Sequence, residues 1–473
     1  MPAVPVRQRL LRNAAAYMRQ LLFWRRRRLA QAAGFEELLA PLPLPDTRSD
    51  SDSELGNTLS SISSIDIDID TDSEAGSHSD DDEEQADALY AAEYRALREH
   101  VDFLATTRVL YPHTVAKRSQ LHLVLTLFKN DDPERFRRNV RVLPETFDGL
   151  LEKIADHIVF DGGSNPQLPV DQQLAITLFR LGHFGNSASV ESVAQWAGTA
   201  AGTVVNATRR VMIAFLAIHD DAIRWPDARA KEEAKQWVED HSCAAWRDGW
   251  LMVDGTLVPL SDKPGYHGEA YFDRKSNYSL NVQLITLPNL RIVDYVIGPV
   301  GSMHDSAAFC ESHLYQHHDE LLLPGEWIWA DSAYALTPWC IAPYKKPAAL
   351  EPENRTFNYH VSAVRIRSEH AVGFIKGFQS LRGLRQQIKN RRDHLRALEW
   401  IRTCIIIHTL VQDIERGDAD ADWEAEMIQE VLEEDSDSED VDGIGHQSSA
   451  RETPGQKKRR KLKQALFASG VTA

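Results

Sequence analysis

Cysteine is scarce. The chain has four in 473 residues, Cys243, Cys310, Cys340 and Cys404, and they are widely spaced. That excludes a metal finger built on paired cysteines and a disulfide-stapled framework, and it fits a reducing compartment. Long apolar runs are missing too. No stretch of 18 or more apolar residues occurs, so no membrane span is expected. A secretory leader is not expected, because Trp24 is followed by four arginines, Arg25 to Arg28, where an apolar core would be needed. There is no Gly-x-x-x-x-Gly-Lys-Ser/Thr loop, so no ATP requirement is expected.

Two stretches lack positive charge altogether. Asp50 to Asp87 holds 14 acids and no Lys or Arg, and Asp418 to Asp442 holds 13 acids under the same rule. Setting those 27 acids aside turns the formal net charge of −17 into +10 for the remainder. A basic body flanked by acidic segments suits a polyanionic partner. The composition predicts a disordered basic then acidic tail over residues 1–87, and a disordered acidic then basic tail over 416–473. The second tail ends in the run Lys457, Lys458, Arg459, Arg460, Lys461, read as an accessible nuclear import signal.

Between the tails the periodicity changes once. Residues 88–240 read as helical: Leu150, Leu151, Ile154 and Ile158 recur at helix spacing, as do Leu174, Leu178 and Leu181. Ser189 can cap a helix that buries Val190, Val193 and Ala194, Gly198 can turn the chain, and Thr199 to Phe215 can form the next helix. This is the outline of a helix-turn-helix, with Asn206, Arg209 and Arg210 as DNA-contact candidates. An ordinary helical hairpin has the same outline.

Residues 247–415 read as an α/β unit. Trp250 to Val253 is a short apolar run that leads into Asp254, and Trp327 to Ala330 leads in the same way into Asp331. Asn277 to Thr286 alternates apolar and polar residues, and Arg291 to Ile297 returns as the second arm of a hairpin. Asp305 to Tyr315 reads as a helix, and helices dominate from Val361 onward. Strand ends in an α/β sheet form the rim where ligands bind. If the strands leading into Asp254 and Asp331 are neighbours, the two carboxylates repel unless a hard cation such as Mg²⁺ or Mn²⁺ lies between them. Glu369 falls on the helix after Val361, in one stripe with Arg365, Val372 and Lys376. Three carboxylates holding two such ions suit in-line phosphodiester chemistry. Each acid alone has a plainer reading: Asp254-Gly255 is a turn dipeptide, and Asp305 can cap its own helix.

At these residues the sequence resembles the Harbinger-type transposases and their domesticated nuclease relatives, the DDE superfamily endonucleases. The matching stretches are Val253-Asp254-Gly255-Thr256, Tyr271 to Lys275, Asn277 to Gln283, Gly301-Ser302-Met303-His304-Asp305-Ser306, and Ala330-Asp331-Ser332-Ala333-Tyr334. Arg365 with Glu369 and Lys376 is similar to the carboxy-terminal signature of related bacterial insertion-sequence transposases. The resemblance covers about residues 250–410. It implies a ribonuclease H-like mixed sheet with flanking helices. It also implies a metal-dependent endonuclease or transposase that cuts and joins DNA strands, while the expectation of a nuclear location rests on the basic run from Lys457 to Lys461. Asp254, Asp331 and Glu369 would be the catalytic metal ligands, with Asp305, His304, Arg365 and Lys376 in support and Asp305 as an optional fourth ligand. Some relatives rely on a Myb-like accessory protein, and a homo-oligomer is compatible with the reading. Two positions depart from the pattern: Ser362 replaces a Tyr three residues before Arg365, and Lys376-Gly377-Phe378-Gln379 lacks one Arg. The alternative is a domesticated nuclear DNA-binding or chromatin protein that keeps the fold without the chemistry.

Overall fold

The computed structural model describes residues 6–32, 80–107, 118–162, 167–415 and 452–470. They fall into two compact units, residues 1–116 and 117–473.

The first unit is a pair of long helices, α1 (Val6–Ala32) and α2 (Asp80–Thr106). Leu11, Ala14, Ala15 and Met18 recur on one face of α1 and bury against Tyr94, Val101 and Leu104 of α2. Arg28 pairs with Asp87 at 2.8 Å, and Arg7 meets the carbonyl of Thr107 at the other end, so the helices run antiparallel. The expectation of a disordered tail over 1–87 is therefore corrected for residues 6–32 and 80–87. The basic amphipathic pattern of this segment is that of a helix, and its apolar stripe is buried because α2 supplies a partner for it. Residues 33–79, with most of the first acidic stretch, lie outside the described residues.

The second unit joins what the sequence divided. Its helical layer contains α3 (Pro133–Val140), α4 (Pro144–Ile154), α5 (Val170–Gly182), α6 (Val190–Ala197), α7 (Ala201–Ala217) and α8 (Ala228–His241). Ser189 caps α6 by accepting from the Ser192 amide, and Gly198 ends it in the left-handed conformation, as the sequence predicts. Phe136, Phe147, Val204 and Phe215 of this layer share one buried cluster with Val258, Leu280 and Leu284 of the sheet and with Ile401 and Ile405. No break between compact units occurs near residue 240; the division falls at 116.

The sheet contains β1 (Leu251–Pro259), β2 (Ser279–Thr286), β3 (Ile292–Val300), β4 (Ile328–Trp329) and β5 (Cys340–Ile341), in the order β3-β2-β1-β4-β5. β1–β2 and β2–β3 are antiparallel, while β1–β4 and β4–β5 are parallel. The short helix α9 (Asp305–Phe309) follows β3; the helix read to Tyr315 ends at Phe309 and is continued by a separate turn from His313. Two long helices complete the layer, α10 (Pro352–Lys376) and α11 (Arg391–Glu415).

The carboxy-terminal segment is not a disordered tail where it is described. Residues 454–468 form α12 (Pro454–Ala468), opened by a capping box in which Thr453 and Gln456 exchange hydrogen bonds. Leu462 and Leu466 are buried. The basic run expected to be accessible is therefore divided by the helix. Lys458 stands 4.1 Å from the ring centre of Trp327 and Arg459 3.8 Å from that of Tyr344, whereas Lys457, Arg460 and Lys461 face outward. Residues 416–451, with the second acidic stretch, lie outside the described residues.

Candidate active site

Side-chain alternation places the acids. Met252 pairs with Trp329 across the parallel β1–β4 ladder. Two residues further, Asp254 returns to the face of Met252 on β1, and Asp331, just past the end of β4, lies near enough for its charge to act on Asp254. The sequence expected β1 to stop at Asp254. It runs on to Pro259, and what stops there is the pairing with β4, which covers only Leu251 and Met252. Asp254 therefore sits on the sheet's central strand, beside the open notch left by a two-residue neighbour.

The helix α10 crosses that face and brings the third acid. Its Arg365 is buried, with Nη2 3.7 Å from Asp254 Oδ1 and 3.9 Å from Glu369 Oε1. Burial pushes the Asp254 carboxyl up from 3.8 to about 7; Arg365 opposes the rise, and Glu369 and Asp331 add to it by repulsion. Glu369 is also raised, first by burial, with Asp331 adding and Arg365 opposing. The three predicted acids thus share one electrostatic site, in which Arg365 supplies the countercharge. Among the described residues its Nε has no hydrogen-bond partner.

Among the described residues, no three His, Cys, Asp or Glu side chains stand close enough together to hold a metal ion. The chemistry of the donors still fits a hard divalent cation. All three are carboxylates, and two are held above their ordinary range by burial and by mutual repulsion, both of which a bound cation would offset.

Asp305 approaches from the other face of the sheet. Its Oδ1 accepts hydrogen bonds from Asn281 Nδ2 at 3.0 Å and Gln283 Nε2 at 2.9 Å, and Arg274 lies 3.9 Å from Oδ2. Gly255, the register partner of Gln283, makes room for this. A Cβ there would lie 2.6 Å from Gln283 Nε2 and 2.8 Å from Asp305 Oδ1. The Asp-Gly pair is a strand pair with a steric reason, not a turn. Nor does Asp305 cap α9: the cap position is His304, which makes no side-chain cap and points to solvent.

Three residues of this arrangement were not singled out from the sequence: Asn281, Gln283 and Tyr334, whose hydroxyl donates to Gln283 Oε1. The polar side of β2 was read as one face of a hairpin, yet every residue of β2 is buried. An Asn-x-Gln pattern on a fully apolar-flanked strand is the signal that points to a buried polar partner. Lys376 closes α10 two turns beyond Glu369, about 10 Å along the axis, and is half-buried. The DNA-contact candidates lie in the helical layer on α7: Asn206 and Arg209 are exposed and Arg210 is half-exposed.

Residues 253–409 match the family described as DDE superfamily endonuclease. The chain is 26% identical over 312 residues to "Protein ALP1-like" of Arabidopsis thaliana, a match that covers 60% of this chain and 72% of that protein. No solved structure matches the chain.

Proposed function

We propose that this chain, a member of the DDE superfamily endonucleases through residues 253–409, is a metal-dependent DNA endonuclease of transposase type built on a ribonuclease H-like sheet. One observation supports the reading. Asp254 and Asp331 each follow two residues after the paired Met252 and Trp329, and the charges of Asp331 and Glu369 both act on the Asp254 carboxyl. In this reading Asp254, Asp331 and Glu369 hold two divalent ions, Mg²⁺ or Mn²⁺. Such ions, when bound, would supply Lewis-acid chemistry at the phosphodiester bond. Arg365 keeps the carboxylates together and offers its remaining N–H groups to a phosphate oxygen. Asp305 holds the amides of Asn281 and Gln283, and through Gln283 the ring of Tyr334.

Supercoiled plasmid incubated with the purified full-length protein and Mg²⁺ or Mn²⁺ is expected to become nicked and linear, and to stay intact in EDTA. Intact plasmid with both ions would sink the nuclease reading. It would favour the second reading, a DNA-binding protein that keeps the fold without the chemistry. The observation on that side is Arg365 itself, which stands between Asp254 and Glu369.

The helical layer supplies DNA reading in this proposal. The outward face of α7 carries Gly202, Asn206 and Arg209 one turn apart, while Val204, Ala207 and Val211 pack inward. Replacing Arg209 and Arg210 together by Ala is expected to weaken duplex binding about tenfold and to lower the salt slope by about one or two. The melting temperature should stay unchanged. A fall in melting temperature without loss of affinity would make α6 and α7 ordinary packing helices.

A further inference from the structure

The three acids are carried by elements that meet in one buried cluster. Met252 stands two residues before Asp254, and Trp329 two residues before Asp331. Val361 and Val364 lie about two turns and one and a half turns before Glu369 on α10. All four are in this cluster, and none of the four exposes more than 1% of its surface. The spacing of the carboxylates is therefore set by how these side chains pack, because a close-packed interior transmits a displacement rather than absorbing it.

Leu462 and Leu466 of α12 complete the same cluster, at 5% and 0% exposure. They arrive from beyond residues 253–409, the span of the family match. The helix is tied down at each end and along its length. Trp246 Nε1 donates to the Leu462 carbonyl at 3.0 Å. Arg459 donates to the carbonyls of Ala342 and Pro343 just after β5. Lys463 bonds Glu353 and Asn354 in the first turn of α10 at 3.0 and 2.9 Å. At its start, a Cβ on Gly455 would lie 2.8 Å from the Leu336 carbonyl, five residues after Asp331. One helix thus touches the turn that follows Asp331, the edge strand beside β4, and the beginning of the helix that carries Glu369.

We infer that α12 is a positioning element of the carboxylate site, acting through Met252, Trp329, Val361 and Val364 to fix α10 against β1 and β4. The inference rests on the nuclease reading for its rate consequence and on packing alone for its structural one. A displacement of about 1 Å in catalytic groups costs up to about 100-fold in rate, while the DNA-contact candidates of α7 lie on a different layer.

The test uses the full-length protein with Leu462→Ala and Leu466→Ala combined, the pair Leu462→Met and Leu466→Met, and the milder Leu466→Val. Three quantities are measured: single-turnover plasmid cleavage with Mn²⁺, duplex affinity, and amide exchange over residues 361–372. In the Ala pair, cleavage is expected to fall about 10- to 100-fold at unchanged duplex affinity, with faster exchange over 361–372. The Met pair, which keeps the volume, should restore both, and Leu466→Val should fall between. If the Ala pair does not fold, the Val variant and the Met pair carry the test. Unchanged exchange and rate in Leu466→Val and the Ala pair overturn the inference. So does lost duplex affinity at unchanged rate, which would make α12 a DNA contact. If the wild-type protein cuts nothing, the nuclease reading fails and exchange over 361–372 alone decides the positioning role.

Discussion

Replacing Asp254 by Asn is expected to abolish metal-dependent cleavage and, in the same protein, to raise the melting temperature of the metal-free form at pH 8. The two effects have one cause. In the fold the Asp254 carboxyl is pushed up to about 7 from 3.8, mainly by burial, and Arg365 only partly offsets this. Between those values the native state keeps a proton that the unfolded chain has already released. Stability therefore falls as pH rises from about 4 to about 7, and is level above. The full penalty at pH 8 is about 2–4 kcal/mol, a large fraction of a protein's net stability. Asn keeps the shape and removes the charge, so the variant should lack this fall. Arg365 retains Glu369 as a partner. Thermal unfolding of both proteins from pH 4.5 to 8.5 in EDTA checks the claim. The two curves should diverge with rising pH, and parallel curves would show that Asp254 is not the titrating group. Added Mn²⁺ should stabilise the wild-type protein more at pH 7.5 than at pH 5.5, because its ligands must shed protons to bind. The variant should lose that response.

The sequence was readable where a local pattern had a local cause. The apolar runs before Asp254 and Asp331 marked buried strands, and their parallel pairing is present between Met252 and Trp329. The β2–β3 hairpin and the Ser189 cap were legible for the same reason. Reading failed where the cause lay far along the chain. Gly255 looked like a turn residue because its neighbour Asp305, fifty residues on, cannot be seen in a dipeptide. Asn281 and Gln283 looked like one side of a simple amphipathic strand because their acceptor arrives from another element. The helical layer looked like a separate domain, since nothing local tells that Val204 and Phe215 share a core with Leu280 and Ile401. For α12 the signal was present. Thr453-Pro454 with Gln456 is a helix start, and Leu462 and Leu466 are one turn apart. The dense positive charge around the two leucines has the composition of an exposed segment, and their burial depends on β5 and α10 far along the chain.

Exchange of Asp331 and Asp305 is the sharper test of the site, because both acids lie in the motifs that carry the family resemblance and only geometry separates them. Asp331 follows β4, and its charge raises both Asp254 and Glu369. Asp305 comes from the opposite face, and two side-chain amides already bind its Oδ1. Asp331→Asn is therefore expected to reduce cleavage by about three orders of magnitude, the scale seen when a group acting on developing charge is removed. It should also abolish stabilisation by Mn²⁺ while leaving a folded protein. Asp305→Asn should behave differently. Its amide oxygen can take the place of Oδ1 and accept from both Asn281 and Gln283, while its N–H₂ takes the place of Oδ2 beside Arg274. The two hydrogen bonds then lose their charge assistance, at about 1 kcal/mol each, so the melting temperature should drop while Mn²⁺ still stabilises the protein. Cleavage, melting temperature and the Mn²⁺ response, measured side by side on the two variants, give a crossed pattern if the assignment holds. An Asp331→Asn protein that still cuts and responds to Mn²⁺, beside an Asp305→Asn protein that does neither, would exchange the two roles.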